Sequence, residues 1–257
     1  TDGRRVRPAH LVVMAGLGLL VGLAVLRPWP LDQPVVYRGD IFQQLAMVQA
    51  ADDLGTPGHS ADLAAPDGVD WSSFPTGTER VQLATLRGLD ALTGDVFVAL
   101  DLYLVIGLVA TVVAAFAVLG WLRVDPVIAG AAAVVYALSP AFGNAVFEGH
   151  LFLFAVYPVP LGVYLALWAS ERRGLRDLPR GRAVLLPAGA VLLVAMSSAY
   201  YATFAIIVIG GLGVLVAARA RDLRRLVAPA LAAGSVAVVA VVSLAPQLIA
   251  RIGDPTS

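Results

Sequence analysis

VFVALDLYLVIGLVATVVAAFAVLG, residues 96–120, decides the fold. A helix that crosses a bilayer needs roughly 20 predominantly apolar residues, and only one charged side chain, Asp101, interrupts this run. Comparable runs cover 9–26, 127–140, 151–169, 183–199, 202–218 and 226–249. The run 127–140 is short and ends at Ser139-Pro140, so a kinked or re-entrant continuation toward Val146 is expected. The stretch 183–218 is too long for one span, and a hairpin near Ser197-Ser198-Ala199-Tyr200-Tyr201 divides it. The expectation is an all-α polytopic transmembrane helical bundle of about seven spans, one module over residues 1–257.

Composition agrees. Of 257 residues, 59% are hydrophobic and 14% charged, with a mean hydropathy of +0.81. Soluble domains carry about 25% charged residues, so this is the composition of a membrane protein. A net charge of zero argues against a nucleic-acid partner, and the absence of cysteine excludes a thiolate nucleophile or metal ligand. The first run follows Arg4, Arg5 and Arg7, as a signal peptide would. It is long for a signal core, however, and Arg27-Pro28-Trp29-Pro30 makes a poor cleavage site, so it reads as a retained helix.

The arginines give an orientation, because cytoplasmic loops are enriched in basic residues. With the N-terminus inside the cell, thirteen of the eighteen arginines fall on cytoplasmic segments: Arg4, Arg5 and Arg7, then Arg123, then five between 172 and 182, then four between 219 and 225. The stretch 27–95 carries four arginines against ten acidic groups and reads as a large extracytoplasmic first loop. Seven spans leave the C-terminus outside directly after a helix, as in the N-terminal part of a longer protein.

That loop has its own pattern. Asp40 suits the N-cap of a helix running to about Leu54, where Gly55 stops it. Ile41, Phe42, Leu45 and Val48 share one face, so the helix is expected to lie along the membrane surface. A Pro/Gly/Asp-rich connection with Trp71 and Phe74 follows, then a second short helix over Glu79–Leu92.

Ionisable groups inside a bilayer are costly and default to functional candidates. Here they gather on the outer connections: Arg38, Asp40 and Arg80 in the first loop, Asp95 opening the second span, and Asp101 about six residues in, roughly 9 Å deep. Glu148 and His150 stand in the next outer turn, Phe-Glu-Gly-His, and Tyr200 and Tyr201 at the hairpin tip. Each has a plain structural reading beside the functional one: a helix cap for Asp40, an interfacial carboxylate for Asp101, a satisfied structural group for His150, a solvated helix end for Asp52-Asp53. The motifs GxxxxGK[ST], HExxH and GxSxG are absent, so energy must come from an activated substrate or a gradient.

Several stretches together resemble the GT-C superfamily of integral membrane glycosyltransferases, particularly its YfhO-like branch. They are the single span before a large outer loop, Tyr37-Arg38-Gly39-Asp40 followed by IFQQ, the WSSFPTG connection, and Tyr200-Tyr201 within SSAYYATF. The resemblance implies an active site at the extracytoplasmic face of the cell membrane, a polyprenyl-phosphate-linked sugar donor and a glycan, lipid or protein acceptor in the envelope. It implies Asp40 as general base, with Arg38, Arg80, Asp101, Glu148, His150, Tyr200 and Tyr201 binding substrate. A divalent metal is left open as a cofactor, but Asp52-Asp53 lies over three helical turns beyond Asp40, which argues against a metal-binding role for that pair. Members of the superfamily usually have more than seven spans. The competing expectations are a transporter or flippase for lipid-linked substrates, and a non-catalytic GT-C-like subunit of envelope assembly.

Overall fold

The computed structural model describes residues 8–28, 79–139, 150–172 and 181–253, together with Ile41, Leu45, Ala46, His59, Ser60, Val69, Asp70, Gly174 and Asp177. Apart from a two-residue antiparallel ladder, His59–Ser60 (β1) with Val69–Asp70 (β2), every regular element among the described residues is helical. Among the described residues four helices are long and apolar enough to cross a membrane.

Each of the seven apolar runs holds helix. α1 spans Pro8–Leu26. α2, Arg80–Thr93, occupies the place expected for the second loop helix, and Gly94 ends it at φ 69 with its N–H on the Asp90 carbonyl at 2.7 Å. The chain turns at once into α3, Val96–Trp121, because the Asp95 carboxylate accepts the N–H groups of Phe97 and Val98 at 2.8 and 3.1 Å. Asp95 is thus a helix cap, which satisfies donors that the first turn cannot. α4, Pro126–Ala137, starts the same way, with Asp125 capping Val127 and proline at the first position.

The run 151–169 is not one helix. α5 is the single turn Leu151–Phe154, and α6 begins only at Pro158 and ends at Ser170. Pro158 and Pro160 supply no backbone N–H to continue α5. The chain leaves the helical path at Ala155, which is extended, while Tyr157 is already helical as the cap of α6. α7, Leu185–Ala195, follows a 3-10 turn over Gly181–Val184. α8, Ala199–Ala220, starts at the expected hairpin, where the Ser198 hydroxyl accepts the Tyr200 N–H at 3.3 Å. α9, Val227–Gly253, contains Pro246.

Two cores result. In the first, α1, α2, α4 and α5 surround α3, burying Leu86, Leu100, Leu104, Leu108 and Phe154 together. In the second, α6, α7, α8 and α9 bury Leu165, Val194, Ile209 and Val236. α3 joins them by packing on α6, where Trp121 meets Tyr164 edge-on at 5.4 Å. Ile41 and Leu45 are both buried in the first core, so these two residues of the expected surface helix point into protein. α2 likewise sinks Gln82 and Leu86 rather than resting on a surface.

Glycines mark the register. Gly22 of α1 stands against Val105 and Gly18 against Val109, so the two helices run antiparallel. On the other side of α3, Gly107 meets Phe154 and Ala155 so closely that an added Cβ would fall 2.8 Å from the Phe154 ring. The α5–α6 break therefore lies level with Gly107, about 9 Å inside the end of α1 at 1.5 Å per residue.

Candidate functional site

A helix break within a packed bundle frees backbone carbonyls from their usual N–H donors four residues on, and each must be satisfied from elsewhere. Two breaks meet at one end of this molecule, α5–α6 and the α7–α8 hairpin, and Pro246 inside the continuous α9 leaves the Val242 carbonyl without its usual donor. Side chains from distant elements answer them. The Tyr201 hydroxyl donates to the Leu153 carbonyl at 2.7 Å, and the Tyr136 hydroxyl to Val156 at 3.2 Å. Gln82, 1% exposed, donates its amide Nε2–H to the carbonyls of Phe152, at 3.4 Å, and of Ser197. The backbone N–H of Val81 reaches the Met196 carbonyl at 3.1 Å. Arg80 directs Nη2 and Nε at the Ser243 carbonyl, at 3.0 and 3.4 Å.

Protons can be assigned in one of these contacts. The Ser197 hydroxyl donates to the Leu193 carbonyl, which uses its only hydrogen. The Tyr157 hydroxyl, 3.0 Å from Ser197 Oγ, must then be the donor of that pair. Around this network Tyr103 lies 6.5 Å from Phe154, ring to ring, and close enough to Tyr157, Tyr201 and Glu79 to interact electrostatically.

Of the residues expected at a site, Arg80 and Tyr201 enter this network and spend donors on backbone oxygens. Arg80 has five N–H donors, and two of them point at Ser243 among the described residues. Asp101 lies in α3 at 1% exposure, two residues from Tyr103. His150 begins the single turn of α5 and is exposed, and Tyr200 is 74% exposed and points away from the network. Arg38, Asp40, Glu148, the Asp52-Asp53 pair, Trp71 and Phe74 lie outside the described residues. Among the described residues no group of three His, Asp or Glu side chains could hold a metal ion.

The residue that sequence reasoning passed over is Gln82. Its signal was present: it stands four residues before Leu86, on the face α2 buries, where a polar side chain needs a partner. Below the network, α3, α4 and α6 enclose an open cleft of about 290 Å³, lined almost wholly by apolar atoms of residues such as Val118, Tyr136 and Val163. Among the described residues the ensemble is a hydrogen-bonding cluster in which one arginine, one glutamine, one serine and the tyrosines serve chiefly backbone carbonyls. No protein-family model, curated protein or solved structure matches the chain.

Proposed function

We propose that this chain is a multi-pass membrane glycosyltransferase of GT-C type, with its N-terminus cytoplasmic and its active site on the extracytoplasmic side. The spans are the seven helical runs, and residues 27–95 form the outer segment between the first two. The observation that carries the reading is the burial of Ile41 and Leu45 in the same core as Leu86, Leu100 and Tyr103. It supports an outer segment that packs on the bundle next to Asp40 rather than standing clear of it.

In this reading the donor is a sugar on polyprenyl phosphate and the acceptor an envelope glycan, lipid or protein hydroxyl. Asp40 takes the acceptor's proton while its oxygen forms the new bond to the anomeric carbon. The bond to the phosphate oxygen breaks on the opposite side, so configuration inverts. Polyprenyl phosphate leaves as an anion and needs positive charge rather than an acid. Arg38, Arg80 or His150 receive it, arginine best because its planar fork matches phosphate.

Asp40→Asn is nearly isosteric and tests this directly. In proteoliposomes supplied with polyprenyl-phosphate sugar, turnover is expected to fall by about 10²–10⁴ while thermal unfolding is unchanged. Wild-type turnover in the variant would remove Asp40 from the mechanism.

One observation favours a transporter or flippase as the second reading. The α5–α6 break lies inside the level of α1, and broken helices hold substrate in many transporters. At about 9 Å from the end of α1 the break is shallow, whereas transport sites lie near the bilayer midplane, so the enzyme reading leads.

A further inference from the structure

We infer that α9 hinges at Pro246 and that Arg80 latches the hinge, tying it to the point where the chain leaves the stretch 27–78. Pro246 lies within a helix that continues to Gly253. It has no N–H for the Val242 carbonyl, and its ring crowds the preceding turn, so the helix is weakest there. Arg80, 163 residues away in sequence, grips the buried Ser243 carbonyl through both Nε and Nη2. Past the proline, Leu248, Ile249 and Ile252 are exposed, so little apolar packing holds that segment against the second core.

Two amide oxygens near the latch favour its opening. Gln82 Oε1 and Gln247 Oε1 are buried, and neither has a hydrogen-bond partner among the described residues. The Gln82 amide cannot simply be turned over, since Oε1 would then face the carbonyls that Nε2 now serves. Any movement that wets either oxygen lowers its free energy, and the charge-assisted Arg80 contact opposes it. The base of the latch is rigid, because Val81 and Gln82 fasten the same helical turn to the α7–α8 hairpin.

Hydrogen exchange read by mass spectrometry on the full chain in nanodiscs tests the latch. Arg80→Gln is expected to speed exchange of the amides at 247–250 about tenfold, the worth of a charged hydrogen bond, with α3 unchanged. Pro246→Ala, which restores the missing N–H, is expected to slow the same amides and to make Arg80→Gln ineffective in that background. Unaltered rates at 247–250 in Arg80→Gln, equal acceleration in every helix, or a full Arg80→Gln effect with Pro246→Ala present would each overturn the latch. Unaltered rates in Pro246→Ala alone would overturn the hinge.

Discussion

Tyr201 and Tyr200 are neighbours in sequence with opposite duties. The Tyr201 hydroxyl satisfies a backbone oxygen at the α5–α6 break, whereas Tyr200 stands exposed. Removing the first hydroxyl leaves the Leu153 carbonyl short of a donor, at a cost of about 1–3 kcal/mol. Tyr201→Phe is therefore expected to lower unfolding free energy in detergent by that amount, and Tyr200→Phe by less than about 0.5 kcal/mol. Equal effects would show that the Leu153 contact contributes nothing. Gln82→Leu should cost more than Tyr201→Phe in the same unfolding titration, because it strips donors from two carbonyls at once. The pair of tyrosines was legible in the sequence, but which of them turns inward was not. That depends on a contact 48 residues away in the chain, and the Gln82 contacts span 70 and 115 residues. Periodicity marks the face a residue occupies, not the distant carbonyl it meets.

The helices themselves were the readable part, because sustained apolarity survives any local choice of backbone. Their interruptions were not, because hydropathy is blind to them. Residues 151–169 stay apolar across Ala155, Val156 and Tyr157, so the run reads as continuous, and only Pro158 and Pro160 signal the break. What holds that break in place is steric. Gly107 lets α3 approach Phe154 and Ala155 at a distance no side chain would permit. Gly107→Ala should force the ring aside and cost about 1–3 kcal/mol by overpacking. Gly88→Ala, with open space around it in a helix interior, is expected to be neutral or stabilising by up to about 1 kcal/mol. Chemical denaturation of the two variants side by side checks the contrast, and a stable Gly107→Ala would mean that the α3–α5 contact is loose.

For the whole molecule, the proposed orientation makes a prediction that the composition renders easy to test. The chain has no cysteine, so any introduced thiol is the sole target for a labelling reagent. Thr56→Cys, in the acidic stretch before α2, should react with a membrane-impermeant maleimide in intact cells. Arg176→Cys, in the arginine-rich connection between α6 and α7, should react only after permeabilisation. The reverse pattern would invert the bundle and with it the side of the membrane proposed for Asp40. Two cores joined along α3 also explain why one end concentrates polar contacts. The breaks of the second core and the first turn of α2 meet there, across the seam.

The inequality of the helices has a last consequence. α3 runs for 26 residues, about 39 Å at 1.5 Å per residue, yet the apolar helices over 126–137, 158–170 and 181–195 have only 10–17 residues. Each of these helices, over its described residues, offers less hydrophobic height than the roughly 30 Å of a bilayer's hydrocarbon interior. Acyl chains beside it must compress or lean, a mismatch costing fractions of a kcal/mol per Å. Bilayers of shorter-chain lipid should therefore suit the protein better than thick ones, and a headgroup drawn inward along the dimple would already be partway to the tyrosines.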